Sequence, residues 1–220
     1  MVDTATLRTK MVDGQVRPND VTDHRIIDAM LGVPREAFVP EALQKLAYID
    51  QNLLVGTDPV PRYMLQPMVT ARLLQQADIR ATDTVLEVGA TTGYTAALLA
   101  RLAKAVVALE DGAALAAAAR TALAGQGIHT VEVVTGPLAA GWAPRAPYDV
   151  ILVSGAVEVL PDALADQLAD GGRLLVTVGL GQAARAMLYT RSGPEVSGRV
   201  LMNAAVPLLP GFQREPAFEF

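Results

Sequence analysis

The sequence has no cysteine among its 220 residues, and its only histidines are His24 and His129. The absence of cysteine excludes a disulfide scaffold, a zinc–thiolate or iron–sulfur site and a cysteine nucleophile. Because the two histidines are far apart in the chain, a histidine-built metal site is not expected. We therefore predict that the protein has no metal centre.

Basic charge and long apolar runs are also scarce. The formal net charge of −5 argues against a nucleic-acid partner, which would need a clustered basic face. The apolar stretch 96–109 is interrupted by Arg101 and Lys104, and the alanine-rich run 113–119 is too short to span a membrane. The first four residues contain no basic region that leads into an apolar segment, so we predict a cytoplasmic protein without a secretory signal.

Apolar residues make up 51% of the chain, which is enough for a core and excludes disorder as the main state. Residues 1–80 contain residues that typically begin or end helices. Apolar residues at 26, 27, 30 and 31 define one face of a helix over 22–31, with Thr22 or Asp23 as its cap. Further helices are predicted from Pro40 to residue 46 and over 67–74. Between them, residues 50–66 lack a helical period and are predicted to form a loop that is functional or mobile.

From residue 81 onward, short apolar runs alternate with helical segments. Runs without polar alternation are typical of strands buried on both faces of a parallel sheet. The strands are predicted at 84–88, 105–109, 130–134, 148–153 and 173–178, and the helices at 94–102, 113–123 and 160–168. This order predicts an α/β fold with a doubly wound, mostly parallel sheet over residues 81–220. Residues 1–80 form its N-terminal helical extension in one structural unit, and residues 184–206 form a C-terminal antiparallel hairpin.

The most informative segment is residues 85–97, where a buried strand ends at Gly89 and a helix starts near Tyr94. Small residues at such a turn let the backbone approach a ligand. The segment lacks both the G-x-G-x-x-G spacing of a dinucleotide site and a P-loop lysine. Glu87, just before the turn, can reach an amino group of a cationic ligand.

Glu110 ends the second strand, about twenty residues after Gly89, where an acid can accept hydrogen bonds from both ribose hydroxyls. Each acid also has a simpler interpretation. Glu87 could face solvent at a strand end, and Glu110 could begin a helix, where its charge favours the positive end of the dipole. The coincidence of strand, glycine turn and second acid favours the ligand site.

With these residues the sequence resembles an S-adenosylmethionine-dependent methyltransferase, specifically the protein-L-isoaspartate O-methyltransferase family. The resemblance covers nearly the whole chain. It rests on segments 11–18, 22–23, 33–40, 47–50, 66–67, 85–94, 141–142, 148–153 and 171–179.

The resemblance implies transfer of a methyl group from S-adenosylmethionine to the α-carboxyl of an L-isoaspartyl residue in a damaged protein or peptide. Such an in-line displacement needs little acid–base help, so no catalytic residue is assigned. Gln66 and Leu65 are expected at the acceptor site. The expected cofactor-binding residues are Glu87, Gly89, Ala90, Gly93, Glu110 and Gly136.

Three features depart from the family pattern. Thr91 replaces the middle glycine of the first motif, and a β-branched side chain resists a positive φ. Residues 136–138 read Gly-Pro-Leu instead of Gly-Asp-Gly, so the carboxylate at the adenine end is missing. Residues 63–65 read Tyr-Met-Leu instead of Thr-Ile-Ser, within a 56–66 loop that is longer than in the family.

These departures leave three hypotheses. The protein could be an isoaspartyl methyltransferase with an altered pocket, or a methyltransferase with a different small acceptor. Alternatively, it could be a binding or regulatory module that keeps the fold and has lost the cofactor. The apolar end of the tail, at residues 217–220, adds a homo-oligomer as an alternative to a monomer.

Overall fold

The computed structural model describes residues 3–57 and 60–214. Its main feature is a seven-stranded sheet with the order β5-β4-β3-β6-β7-β8-β9. The strands of this sheet are β3 (Thr84–Val88), β4 (Ala105–Glu110), β5 (Val131–Thr135), β6 (Tyr148–Val157), β7 (Leu168–Val178), β8 (Arg185–Ser192) and β9 (Glu195–Asn203). Strands β3 to β7 are parallel, and β8 and β9 are antiparallel additions at one edge. The predicted doubly wound sheet with its C-terminal hairpin is confirmed.

Strand β3 lies inside the sheet, paired with β4 on one side and β6 on the other. The chain runs outward through β4 and β5 and then crosses back to β6, so the strand order reverses beside β3. In such sheets, ligands bind outside the carboxyl ends of the strands at this reversal. Val85 faces Val106 and Val150 in the two registers and is fully buried, as continuous apolar strands require.

Six α-helices surround the sheet in the described part of the chain: α1 (Thr4–Met11), α2 (His24–Gly32), α3 (Pro67–Gln76), α4 (Tyr94–Leu99), α5 (Ala113–Gly125) and α6 (Asp162–Asp166). Helix α2 is capped by Asp23, whose side chain accepts from the Arg25 amide at 2.8 Å. Helix α1 was not predicted from the sequence, because Met11 is its only buried residue and the helix has no apolar face. The segment Glu41–Leu46 is a 3-10 helix, and Pro40 lies before it with an extended ψ of 149° rather than inside it.

The prediction that residues 50–66 lack regular structure was wrong. A short antiparallel hairpin forms there from β1 (Leu53–Gly56) and β2 (Arg62–Met64), with Gly56 opposite Arg62. Strands of four and three residues are too short to show a convincing alternation of apolar and polar residues, and Pro61 directly precedes β2. Pairing with each other therefore decides their structure.

Arg35 joins the N-terminal region to the sheet domain. Its buried guanidinium donates to the carbonyl of Ala47 at 2.8 Å and to that of Leu65 at 2.7 Å, and it lies 4.7 Å from the centre of the Tyr94 ring. One cluster of buried apolar residues extends from Met11 to Val206. The division at residue 80 stays a sequence-based proposal.

Two other sequence predictions concern a homo-oligomer and the membrane. The apolar tail that suggested a homo-oligomer falls in residues 215–220, outside the described residues. Among the helices of residues 3–57 and 60–214, none combines the length and the apolar character that crossing a bilayer would require.

The turn before α4 offers a test of this packing. Gly93 has a φ of +91°, and a Cβ built on it would lie 3.2 Å from the Ala119 Cβ and 3.4 Å from a Leu123 methyl group of α5. We expect Gly93→Ala to lower the free energy of unfolding by about 2 kcal/mol, because it adds a strained φ and crowds α5. Urea denaturation of both proteins measures the difference.

The matched control is Gly125→Ala at the end of α5, where a Cβ would meet no heavy atom within 4 Å. This change should leave the free energy of unfolding unchanged or raise it by up to about 1 kcal/mol. Equal effects of the two substitutions would contradict the packing described here.

Candidate functional site

The turn between β3 and α4 is fastened to the end of β4. The amides of Gly89 and Ala90 both donate to the carbonyl of Leu109, at 2.9 and 3.1 Å. Gly89, Thr91 and Gly93 have φ values of +84°, +49° and +91°. Three positive φ angles within five residues fold the backbone into a tight cradle at the carboxyl edge of the sheet.

Thr91 adopts the conformation that its β-branched side chain was expected to resist. A left-handed φ costs a non-glycine residue about 1–2 kcal/mol. In this position the Thr91 amide donates to Glu110 Oε2 at 2.8 Å, a hydrogen bond to a buried carboxylate that offsets the strain. The turn thus keeps its shape without the middle glycine.

Glu87 points into the protein, so the solvent-facing interpretation was wrong. It is 1% exposed, and the Ser154 hydroxyl donates to its Oε1 at 2.7 Å. Its Oε2 has no hydrogen-bond partner among residues 3–57 and 60–214. Burial raises the pKa of Glu87 to about 7, against the opposite effect of the Ser154 hydrogen bond. A buried carboxylate oxygen without a partner is unfavourable in the protein alone and suits a cationic ligand group.

Glu110 is the last residue of β4 and is fully buried, so it does not begin a helix. Its carboxylate accepts from the Thr91 amide and, at 3.1 Å, from the Gly112 amide just before α5. Arg62 of the β1–β2 hairpin forms a two-pronged ion pair with it, Nη1 to Oε1 at 2.5 Å and Nη2 to Oε2 at 2.9 Å. Burial raises the pKa of Glu110, and the Arg62 guanidinium acts in the opposite direction.

The remaining predicted residues lie around these acids. The Gly136 amide at the end of β5 donates to the Glu110 carbonyl at 3.2 Å, so this glycine belongs to the same edge. Leu65 and Gln66 follow β2. The Leu65 carbonyl accepts from Arg35, and the Gln66 amide donates to Asn52 Oδ1 at 2.9 Å. The six residues expected to bind cofactor are therefore together, and the acceptor pair is joined to them through the hairpin strand that carries Arg62.

Two residues at this edge were not anticipated. A Cβ built on Gly89 would lie 3.1 Å from a methyl group of Leu209 and 3.3 Å from Arg62 Nη2. The Leu209 amide donates to the carbonyl of Ala156 at 2.9 Å, which places its side chain over the glycine turn. Arg62 is 48 residues from Glu110 in sequence and lies in the segment read as a loop, so no local pattern signals the pair.

The site has the hydrogen-bond acceptors that the ammonium and ribose hydroxyls of S-adenosylmethionine require, but its present conformation is closed. Glu87 presents a free buried oxygen, and the Gly89–Gly93 turn supplies a close backbone approach. The oxygens of Glu110 are engaged by Arg62, and Leu209 covers Gly89. The residues fit the cofactor at Glu87 and fit it at Glu110 only after Arg62 withdraws. No group of three or more acidic or histidine side chains suited to a metal ion occurs in the described part of the chain.

The comparison with known proteins identifies the family of this chain. The family model described as Protein-L-isoaspartate(D-aspartate) O-methyltransferase matches residues 7–211. The chain belongs to this family. It is 44% identical over 191 residues to "Protein-L-isoaspartate O-methyltransferase" of Methylorubrum extorquens, covering 87% of this chain and 82% of that protein. The protein of the same name from Methanoculleus marisnigri is 42% identical over 78% of this chain and 77% of its own length.

Solved structures of the family agree with the fold. A "Protein-L-isoaspartate O-methyltransferase" structure superposes with a TM-score of 0.82 at 26% identity, over 95% of this chain and 66% of that chain. A second structure, of a Plasmodium falciparum protein in complex with S-adenosyl-L-homocysteine, gives a TM-score of 0.77 at 16% identity, over 95% of this chain and 99% of that one. The resemblance inferred from the motifs is confirmed.

The buried Glu87 generates a pH prediction. Its pKa of about 7 in the folded state lies above the ordinary glutamate pKa of 4.5, so the folded state binds more protons than the unfolded state between these pH values. Stability from this group is therefore present at low pH and is lost as pH rises toward 7 and beyond. Glu87→Gln removes this loss, so the variant should gain on the wild type by up to about 3 kcal/mol between pH 5 and pH 8.

Urea denaturation at several pH values measures this gain. The control is Glu195→Gln, a change of the same chemistry at an exposed position of β9. Its unfolding free energy should follow the wild-type pH profile. Parallel profiles for Glu87→Gln and wild type would show that the carboxyl of Glu87 does not titrate as its burial requires.

Proposed function

We propose that this protein is an S-adenosylmethionine-dependent methyltransferase that methylates the α-carboxyl of L-isoaspartyl residues in damaged proteins or peptides. The observation that supports this most is the pair of buried acids, Glu87 and Glu110, on either side of a glycine turn at the sheet's reversal point. These acids occur in a chain whose family is named for this reaction.

Each cofactor-binding residue has a role in this proposal. The free oxygen of Glu87 would accept from the ammonium of the methionine part, beside the backbone of Gly89, Ala90 and Gly93. Glu110 would accept from the ribose hydroxyls, and Gly136 would border the adenine. When bound, the cofactor supplies a sulfonium methyl group that an acceptor carboxylate can attack directly.

The acceptor side of the site is apolar. Met64 and Leu65 are 3% and 5% exposed and stand where the family resemblance places a hydroxyl-bearing segment. Apolar walls exclude water from an acceptor carboxylate, and a nucleophile held close and aligned needs no general base. In this proposal the substrate is a carboxylate on a damaged protein or peptide that reaches the hairpin.

A second function is favoured by two contacts at the site. Arg62 holds the oxygens that the cofactor's ribose would use, and Leu209 covers Gly89, as in a binding module that has dispensed with the cofactor. The cytoplasmic location stays a sequence-based proposal under either function, and the acceptor's identity stays one under the methyltransferase function.

Calorimetric titration with S-adenosylhomocysteine separates the two functions. The methyltransferase should bind it with micromolar affinity, equivalent to about −8 kcal/mol. Glu87→Gln should weaken binding by about tenfold, because a charge-assisted hydrogen bond becomes a neutral one. Glu195→Gln should leave it unchanged. No heat at millimolar ligand would contradict the methyltransferase and support the module.

The acceptor is tested by methyl transfer to two peptides of one sequence, with L-isoaspartate or ordinary aspartate at one position. Methylation of the isoaspartyl peptide alone is the expected result. Cofactor binding with neither peptide methylated would contradict the isoaspartyl acceptor and point to a different small carboxylate or other acceptor.

A further inference from the structure

Arg62 is shared by two acids that differ in burial. Its Nη1 contacts both the Glu110 carboxylate and the Asp111 carboxylate. The side chains of Arg62 and Glu110 are 3% and 0% exposed, whereas that of Asp111 is 32% exposed. One guanidinium thus bridges the interior of the site and its rim.

We propose that Arg62 competes with the cofactor for the carboxylate of Glu110. In the closed state its guanidinium occupies the Glu110 carboxylate, and the site opens when the β1–β2 hairpin shifts and carries Arg62 away from Glu110 toward Asp111. This inference rests on the proposed function, because it concerns the same Glu110 oxygens that would accept from the ribose hydroxyls.

The competition is direct because the two groups have the same hydrogen-bonding pattern. A guanidinium presents two parallel N–H donors to the two oxygens of a carboxylate. A ribose presents two neighbouring hydroxyl donors to the same two oxygens. Arg62 Nη2 also lies 3.3 Å from the position of a Cβ on Gly89, within the space beside the turn that a ligand would enter.

Opening leaves no charged group without a partner. Arg62 keeps Asp111, which is already in contact with it. Glu110 keeps the Thr91 and Gly112 amides, at 2.8 and 3.1 Å, and gains the ligand hydroxyls. Breaking a buried ion pair is costly mainly when it leaves an isolated buried charge, and this exchange avoids that.

The hairpin also has space beside it. A cavity of about 340 Å³ lies between the N-terminal region and α5, and Gly56 and Thr57 of the hairpin line it together with Thr92 and Leu115. Gly56 is the cross-strand partner of Arg62. The space beside Thr57 and Thr92 would let the hairpin shift, and Arg62 with it, without repacking the buried sheet.

The first experiment removes the competitor. Arg62→Met keeps a long side chain and loses both the charge and the donors. The apparent affinity of the protein for a ligand is the affinity of the binding-competent state multiplied by the fraction of molecules in that state. Titration with S-adenosylhomocysteine should therefore show Arg62→Met binding at least about tenfold more tightly than wild type. Arg199→Met, on the exposed strand β9, is the matched control and should bind as wild type does.

A second experiment keeps Arg62 and fixes the hairpin, so it does not depend on how Arg62→Met folds. A Cβ on Gly56 would lie 3.3 Å from Leu115 Cγ, the position that a cysteine sulfur at 115 would take. This separation suits a disulfide. The double variant Gly56→Cys/Leu115→Cys can form no other disulfide, since the chain has no cysteine. Its oxidised form should bind at least about tenfold more weakly than its reduced form.

The single variant Gly56→Cys is the control and should show no redox dependence. Equal or weaker binding by folded Arg62→Met than by wild type would overturn the competition. Redox-independent binding by the double variant would overturn the hairpin movement. If wild type, Arg62→Met and the reduced double variant all fail to bind S-adenosylhomocysteine at millimolar concentration, the proposed function itself fails.

Discussion

The carboxylate of Glu110 joins the parts of this site that come from different regions of the chain. It accepts from the Thr91 amide in the turn after β3, from the Gly112 amide before α5 and from the Arg62 guanidinium of the hairpin. Its own backbone carbonyl accepts from the Gly136 amide after β5. Three segments distant from Glu110 in sequence, and the start of α5 just after it, therefore take their relative positions from one buried residue.

This arrangement follows from the cost of burying charge. Both Glu87 and Glu110 lie at the end of apolar strands, where burial raises their pKa values. The charge of Glu110 is compensated by hydrogen bonds from amides and by Arg62. Within the described residues, Glu87 accepts a hydrogen bond on one oxygen only, from the Ser154 hydroxyl. Among the described residues, Glu87 is the acid that keeps one oxygen without a hydrogen bond, whereas Glu110 is engaged by both the glycine turn and Arg62. In the proposed competition, affinity for the cofactor depends on exchanging the partners of Glu110 rather than on forming a new pocket.

Much of the fold could be predicted because its signals are local. The apolar runs that form β3 to β6 are strands in the structure, and the turn at Gly89–Gly93 lies where strand and helix signals meet. The two acids could be identified from their positions at strand ends. Helix α1 and the hairpin β1–β2 could not, because the first lacks an apolar face and the strands of the second are stabilised by pairing with each other. The positive φ of Thr91 was also unexpected, since its compensating hydrogen bond comes from a residue on another strand.

The family, the parallel sheet and the residues at its reversal point follow from the sequence, because strand burial and turn chemistry are encoded within a few neighbouring residues. Whether those residues are available depends on contacts that the fold makes between distant segments. Arg62 reaches Glu110 across 48 residues, and Leu209 reaches Gly89 from the other end of the chain. Neither contact has a sequence pattern, because an ion pair or an apolar contact between distant segments depends on where the whole fold brings their side chains.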